Sequence, residues 1–222
     1  MADTADPELD SMRGFSAAIL SDVLDGLGLM RQAMRPFVRP LDESLVLCGR
    51  ARTGLYMPAY HVRAGENPYE VEMALIDDLR PGEVPVLACG GPTERIAPWG
   101  ELLSTAARAR RAAGCVIDGL VRDVRQIREM RFPVFHGGIG PLDTKGRARM
   151  MERDIPVECA GVHVENGDIL FGDVDGLVVV PRARAAEVIA GAREKMRGEG
   201  ATRRELEAGR PLAEVFARHG IL

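Results

Sequence analysis

A short apolar segment followed by an adjacent arginine and aspartate most constrains the fold of this chain. Residues 114–123 read GCVIDGLVRD, and their apolar part predicts a buried strand that stops at Asp118. Apolar residues then recur every three positions over 124–130, the spacing of one helical face. Arg122 and Asp123 are therefore expected between a strand and a helix, where α/β proteins place binding and catalytic groups.

Length and composition favour one domain. The chain has 222 residues, of which 46% are hydrophobic and 5% aromatic, so residues 1–222 are predicted to share one aliphatic core. We expect residues 1–12 to be disordered and residues 182–222 to form a helical extension at the C-terminus, with helices over 182–197 and 202–217. The remaining pattern alternates strands and helices, ending in short strands over 155–164, 168–171 and 177–181.

The charge distribution and the apolar pattern limit the classes of partner that we expect the protein to bind. The net charge is −4 with both signs interleaved, so no basic surface for nucleic acid is expected. No apolar run approaches the length of a membrane span, and the N-terminus is acidic and polar. The four cysteines are widely spaced within apolar segments, which is typical of reduced thiols. A cytoplasmic protein that does not bind membranes is predicted.

A second segment, residues 100–103, predicts a binding site for an anion. Gly100 precedes a predicted helix, so the backbone N–H groups of Glu101, Leu102 and Leu103 would be the unpaired donors of its first turn. Arg122 could pair with the same substrate carboxylate or stabilise a developing oxyanion. Asp123 could then hold a hard divalent cation such as Mg²⁺. From the residues alone, an Arg-Asp pair that merely caps the helix starting at residue 124 is the stronger alternative.

The chain also carries a distinctive order of short motifs. Together they resemble the RraA-like family, which includes the 4-hydroxy-4-methyl-2-oxoglutarate aldolases, over nearly the whole length. In chain order the motifs are Ser21-Asp22-Val23-Leu24, Gly49-Arg50-Ala51-x-Thr53, Pro81-Gly82-Glu83-Val84, Trp99-Gly100-Glu101-Leu102, Val116-Ile117-Asp118-Gly119-x-x-Arg122-Asp123, Phe132-Pro133-Val134-Phe135, Asn166-Gly167-Asp168 and Gly172-Asp173-x-Asp175-Gly176-x-Val178-Val179-Val180-Pro181.

The resemblance implies a fold and a set of residue roles. The fold would be a single α/β domain of the swivelling β/β/α type, assembled as a homotrimer or a dimer of trimers with sites between subunits. The family's carboxylate-binding helix start matches Gly100 to Leu103, its substrate arginine matches Arg122, and its metal-ligand aspartate matches Asp123. The family's acidic residue that reaches the site from a neighbouring subunit is best matched by Glu199.

The family resemblance leaves three functions open. The first is a lyase dependent on Mg²⁺ or Mn²⁺ that cleaves 2-oxo-4-hydroxy acids to pyruvate and decarboxylates oxaloacetate, with Arg122 stabilising enolate charge and Glu101 orienting a water. The second is a non-catalytic protein that binds a partner such as a ribonuclease. In that branch the aspartate after the arginine is replaced, so Asp123 favours the enzyme. The third is a family enzyme that acts on another oxo or sugar acid, selected by the loops at 61–69 and 137–149.

Overall fold

A computed structural model describes residues 6–221 of the chain. Its helices are α1 (Pro7–Met12), α2 (Ala17–Gly26), α3 (Glu70–Asp77), α4 (Glu101–Ala109), α5 (Val124–Met130), α6 (Ala185–Glu207) and α7 (Leu212–His219), with a 3₁₀ turn at Arg182–Arg184. Its strands are β1 (Arg39–Pro40), β2 (Leu47–Pro58), β3 (Glu83–Ala88), β4 (Cys115–Val121), β5 (Val134–Ile139), β6 (Ala148–Arg153), β7 (Val157–Cys159), β8 (Val162–Val164), β9 (Ile169–Gly172) and β10 (Leu177–Val180).

One strongly curved sheet organises the domain. Its strand order is β1-β5-β4-β3-β2-β9-β10, and β6 also pairs with β2. Strands β2, β3, β4 and β5 run parallel to one another, whereas β1, β6, β9 and β10 join antiparallel. The nearly closed, barrel-like sheet with C-terminal helices confirms the predicted mixed α/β fold.

The alternation of side chains along the parallel strands divides the core. In β3, Val84 and Val86 point into the interior of the curved sheet, where they meet the β7–β8 hairpin. Leu87 of the same strand and Ile117 of β4 point outward against α3, α4 and α5. This outer layer holds α4 and α5 beside the carboxyl ends of β3 and β4, and thereby positions the candidate site. A third cluster packs α1, α2 and α6 against β9 and β10.

Several predicted boundaries need correction. Residues 7–12, which we expected to be disordered, form α1, because the Asp6 side chain caps it and Leu9 and Met12 are buried. Strand β4 does not stop at Asp118 but continues to Val121 through an irregularity in its pairing with β5. The predicted strand over 155–164 is the β7–β8 hairpin.

The C-terminal segment and the long loop also differ from expectation. The two predicted helices over 182–197 and 202–217 are replaced by α6, which is continuous over 23 residues, and the short α7. The predicted loop over 137–149 is shorter, since β5 extends to Ile139 and β6 begins at Ala148. Within residues 6–221, no helix is long and apolar enough to cross a membrane, and Cys48, Cys89, Cys115 and Cys159 are free thiols.

Candidate functional site

The end of β4 brings the two predicted segments together. Residue Trp99 forms a parallel bridge with Val121, and the Arg122 N–H donates a hydrogen bond to the Trp99 carbonyl oxygen at 2.9 Å. The chain at 99–101 therefore runs beside the chain at 121–123. Gly100 is the N-cap residue of α4 and Asp123 is the N-cap residue of α5, so two helix N-termini meet here.

The Asp123 carboxylate is turned away from the helix that it begins. Asp123 has a left-handed backbone (φ +57°) and makes no side-chain capping hydrogen bond to α5. Instead its Oδ2 accepts the Glu101 N–H at 3.2 Å and lies 3.9 Å from the Arg122 Nε. The interpretation that the Arg-Asp pair merely caps α5 is therefore wrong, because the carboxylate is directed at the first residue of α4.

The Asp123 and Arg122 side chains pack closely against Gly100. A Cβ atom at residue 100 would lie 2.6 Å from the Asp123 Oδ2 and 3.1 Å from the Arg122 Cγ. Any side chain at this position would push the carboxylate or the arginine aside. The glycine is thus required by the position of the Asp123 carboxylate, and not by its own φ of −151°.

A buried hydrogen-bond chain fixes the start of α4. The indole Nε1 of Trp99 donates to the Ser104 hydroxyl at 2.8 Å, and that hydroxyl donates to the Gly100 carbonyl at 2.9 Å. Trp99 and Ser104 are fully buried, and the Trp99 ring stacks on Phe132 with centroids 6.3 Å apart. The N–H groups of Leu102 and Leu103 belong to this first turn, which has no intrahelical acceptors for them.

The Glu101 and Glu199 side chains have local partners. The Glu101 carboxylate accepts a hydrogen bond from the Thr105 hydroxyl at 2.9 Å, one turn further along α4. Glu199 lies on α6, with its oxygens 3.6 Å from the Lys195 Nζ and 3.9 Å from an Arg203 nitrogen. Within one chain, the structure joins Gly100, Glu101, Arg122 and Asp123 but not Glu199. The roles assigned to all of these residues stay predictions.

The sequence did not reveal the acidic surroundings of Arg122. The Arg122 Nη1 lies 3.7 Å from the Asp143 Oδ1, and the other oxygen of Asp143 accepts a hydrogen bond from the Tyr69 hydroxyl at 2.6 Å. Asp143 lies in the loop at 137–149, for which the sequence predicted only a part in selecting the substrate. Only the fold could show this contact, because residues 69, 122 and 143 come from three separate segments.

A buried carboxyl group lies behind these residues. Glu72 is buried on α3, and burial, with a smaller contribution from the Asp143 charge, raises its pKa to about 7 against the opposing effects of the Tyr56 hydroxyl and Arg122. The sequence did contain a signal for it. Glu72 shares a helical spacing with Leu75, Ile76 and Leu79, all of them buried, so a carboxyl group stands in an apolar stripe.

Comparison with known proteins identifies the family. The profile of the RraA-like family, described as Aldolase/RraA, matches residues 17–179. A protein of Halalkalibacterium halodurans named "Putative 4-hydroxy-4-methyl-2-oxoglutarate aldolase" is 29% identical over 198 residues, which are 89% of this chain and 88% of that protein. A protein of Halorhodospira halophila with the same name is 34% identical over 135 residues, covering 60% of this chain and 79% of that protein.

Solved structures agree with this assignment. An uncharacterised protein from Pseudomonas syringae superposes with a TM-score of 0.82 at 26% identity, covering 97% of this chain and 99% of that chain. RraAS2 of Streptomyces coelicolor, described as an unusual member of the RNase ES inhibitor RraA protein family, superposes with a TM-score of 0.80 at 27% identity, covering 91% of this chain and 99% of that chain. On the matched motifs, the sheet and these relatives, the chain belongs to the RraA-like family.

Proposed function

We propose that this protein is a divalent-metal-dependent lyase that cleaves 2-oxo-4-hydroxy acids of the 4-hydroxy-4-methyl-2-oxoglutarate type to pyruvate, and that it also decarboxylates oxaloacetate. The observation that carries the proposal is the orientation of Asp123. Its carboxylate leaves the α5 N-terminus uncapped and is held beside Arg122 and the first turn of α4. The relatives named as aldolases support this choice of reaction.

The donor set fits an ion that takes few ligands from the protein. Among residues 6–221, no group of three or more His, Cys, Asp or Glu side chains is placed to share a metal. Asp123 alone would hold Mg²⁺ or Mn²⁺, a mode suited to ions that retain several waters and bind substrate oxygens. The Asp123 side chain is 44% exposed, and Gly100 places no Cβ against its Oδ2. A bound ion would supply Lewis acidity to the 2-oxo group of the substrate.

The chain's own groups would bind and stabilise the substrate. The Arg122 guanidinium would pair with the 2-oxo acid carboxylate, assisted by the N–H groups of Leu102 and Leu103 and by the positive end of the α4 dipole. Cleavage of the C3–C4 bond leaves its electron pair on the pyruvate unit as an enolate, while the 4-hydroxyl proton passes to a water molecule as the new carbonyl forms. Arg122 would stabilise the enolate charge. Glu101 would orient the water that protonates C3.

The proposal is tested by measuring pyruvate release from both substrates, with Mg²⁺ and with excess chelator. We expect chelator-sensitive release from the wild type and its loss in Asp123→Ala, with the fold retained. Asp25→Ala, which removes an exposed carboxylate on α2, is the matched control and should keep full activity. Full turnover in Asp123→Ala would refute the metal assignment.

A second function has support from one structural relative. RraAS2 is described as a member of a family of RNase ES inhibitors, so a non-catalytic role in binding a ribonuclease is the alternative. That role predicts no pyruvate release above a metal-only blank and a loss of ribonuclease activity on adding the protein. A family enzyme for another oxo or sugar acid predicts chelator-sensitive turnover of that acid alone, with selectivity set by the loops at 61–69 and between β5 and β6.

We also propose that the site is completed in a homotrimer or a dimer of trimers. The resemblance to the family implies an acidic residue that reaches the site from a neighbouring subunit, and Glu199, which pairs with Lys195 and Arg203 on α6, is its best match. Sedimentation analysis should give three or six subunits. Glu199→Gln should then reduce turnover without dissociating the oligomer, whereas a fully active monomer would contradict this part of the proposal.

A further inference from the structure

Arg122 lies between two carboxylates. Its Nε is 3.9 Å from the Asp123 Oδ2, and its Nη1 is 3.7 Å from the Asp143 Oδ1. Both separations are longer than a hydrogen bond. The two carboxylates therefore orient the guanidinium without forming strong hydrogen bonds to its N–H groups. The side chain is 39% exposed. Without such anchors, an arginine this exposed would sample many rotamers, and ordering it would cost free energy on binding.

Asp143 is itself firmly held. Its Oδ2 accepts the Tyr69 hydroxyl at 2.6 Å, and its Oδ1 accepts the Thr144 N–H at 2.8 Å. Its carbonyl oxygen accepts a hydrogen bond from the Arg147 guanidinium at 3.2 Å, and the Thr144 residue is buried. The loop between β5 and β6 therefore presents this carboxylate from a fixed position.

The protonation states agree with this arrangement. Burial raises the pKa of Asp143, but the Tyr69 hydroxyl, the Thr144 amide and Arg122 together lower it below the ordinary value, so the group is an anion at neutral pH. Burial, followed by the hydrogen bond to Asp143, raises the pKa of Tyr69 to about 12. The tyrosine thus remains a donor, and Asp143 remains an acceptor, over the physiological range.

We propose that Tyr69 and Asp143 are positioning residues that orient Arg122 toward the substrate carboxylate. Tyr69 immediately precedes α3, and Asp143 lies in the loop between β5 and β6, so the pair ties two segments to the end of β4. Bidentate recognition of a carboxylate requires the planar guanidinium in one orientation, and a small misplacement is costly in rate or affinity. This inference rests on the proposed function, because it takes Arg122 as the group that binds the substrate carboxylate.

The test compares two mild variants with a matched control. Tyr69→Phe removes only the hydroxyl, and Asp143→Asn removes only the charge. Tyr60→Phe also removes a tyrosine hydroxyl, but from an exposed ring that lies under Arg95. The KM and kcat for pyruvate release are measured, together with the dissociation constant of oxalate in the presence of Mg²⁺, determined by calorimetry.

If Tyr69 and Asp143 position Arg122, their substitution should weaken binding much more than it slows turnover. In Tyr69→Phe and Asp143→Asn, KM and the oxalate dissociation constant should rise about tenfold, the effect of losing one charge-assisted hydrogen bond. The kcat should change less than about twofold, and Tyr60→Phe should match the wild type. In an Arg122→Lys background, Asp143→Asn should add no further loss, because the group that it orients is absent.

Other results would overturn the inference. If Asp143 only competes with substrate for Arg122, then Asp143→Asn lowers KM and tightens oxalate binding. If the pair merely stabilises the loop, unfolding temperature falls while oxalate affinity is unchanged. The calorimetric measurement also separates this inference from the proposed reaction. If no pyruvate is released but oxalate binds in a way that depends on Arg122 and Tyr69, only the proposed reaction is refuted. If oxalate does not bind either, both the reaction and the positioning role are refuted.

Discussion

The Trp99 indole N–H donates to the Ser104 hydroxyl at 2.8 Å, and this buried bond connects the site to the core. The same hydroxyl donates to the Gly100 carbonyl, so one side chain satisfies both the indole and the helix start. The tryptophan stacks on Phe132, which follows α5. Trp99 thus joins the start of α4 to the segment that follows α5.

Ser104→Ala should therefore destabilise the protein. The variant leaves the buried Trp99 N–H without its acceptor, and we expect the free energy of unfolding to fall by about 1–3 kcal/mol. Thr105→Ala is the matched control, since it removes an exposed hydroxyl from the next residue of α4, and it should cost less than about 0.5 kcal/mol. Urea denaturation measures both. Equal losses in the two variants would contradict the role of the Trp99–Ser104 bond.

Asp118 gives a second prediction on stability. This buried carboxylate accepts backbone N–H groups from Cys89 at 2.6 Å, from Gly91 at 3.0 Å and from Ala160 at 3.3 Å. It therefore joins β4 to the loop after β3 and to the β7–β8 hairpin. Asp118→Asn replaces one carboxylate oxygen with an NH₂ group, which would face a backbone N–H and could not accept from it. We therefore expect the free energy of unfolding, measured by urea denaturation, to fall by about 2–4 kcal/mol.

The exposed Asp175, in the turn between β9 and β10, provides the comparison for Asp118. Asp175→Asn should leave the free energy of unfolding within about 0.5 kcal/mol of the wild type. An Asp118→Asn protein as stable as this control would show that the three N–H groups find other acceptors.

The parts of the fold that repeat a local pattern could be predicted from the sequence. Helix α5 has the predicted bounds of residues 124–130, because its apolar spacing and the preceding strand both act locally. The end of β4 could not be predicted in the same way. Asp118 looked like the start of a turn, yet it continues the strand because three N–H groups from other segments satisfy its carboxylate.

The candidate site likewise contains some residues that local patterns predicted and others that only the fold brings together. Gly100, Arg122 and Asp123 lie in two segments whose local patterns mark a helix start and a strand end, and the structure brings them together. Tyr69 and Asp143 contribute through tertiary contacts that no spacing encodes. Glu72 alone left a trace, as a carboxyl group within an apolar helical stripe.

Gly100→Ala should separate activity from folding. The added Cβ would meet the ends of the Asp123 and Arg122 side chains, which can move, so the fold should be retained. The displaced carboxylate should weaken Mn²⁺ binding, measured by electron paramagnetic resonance, and reduce kcat/KM at least about tenfold. Gly26→Ala is the control, because a Cβ there meets open space. Wild-type Mn²⁺ affinity in Gly100→Ala would contradict the assignment of Asp123.

Glu72 should make stability depend on pH. Its pKa is about 7 in the folded protein, mainly because burial disfavours the charged form, and 4.5 is the ordinary value. Between these two values the folded state binds more protons than the unfolded state, so the free energy of unfolding falls as pH rises from about 4.5 to about 7 and then levels off. The groups acting on this carboxyl are the Tyr56 hydroxyl, the Asp143 carboxylate and the Arg122 guanidinium.

Glu72→Gln isolates this contribution, because glutamine has a similar shape and does not titrate. Relative to the wild type, the variant should gain stability across the same pH window, by on the order of 3 kcal/mol at pH 8 compared with pH 4.5. Urea denaturation of both proteins at four pH values between 4.5 and 8 measures the difference. A constant difference would mean that Glu72 titrates near its ordinary pKa, and a decreasing one would mean that its ionised form is stabilised, with Arg122 rather than burial dominating its environment.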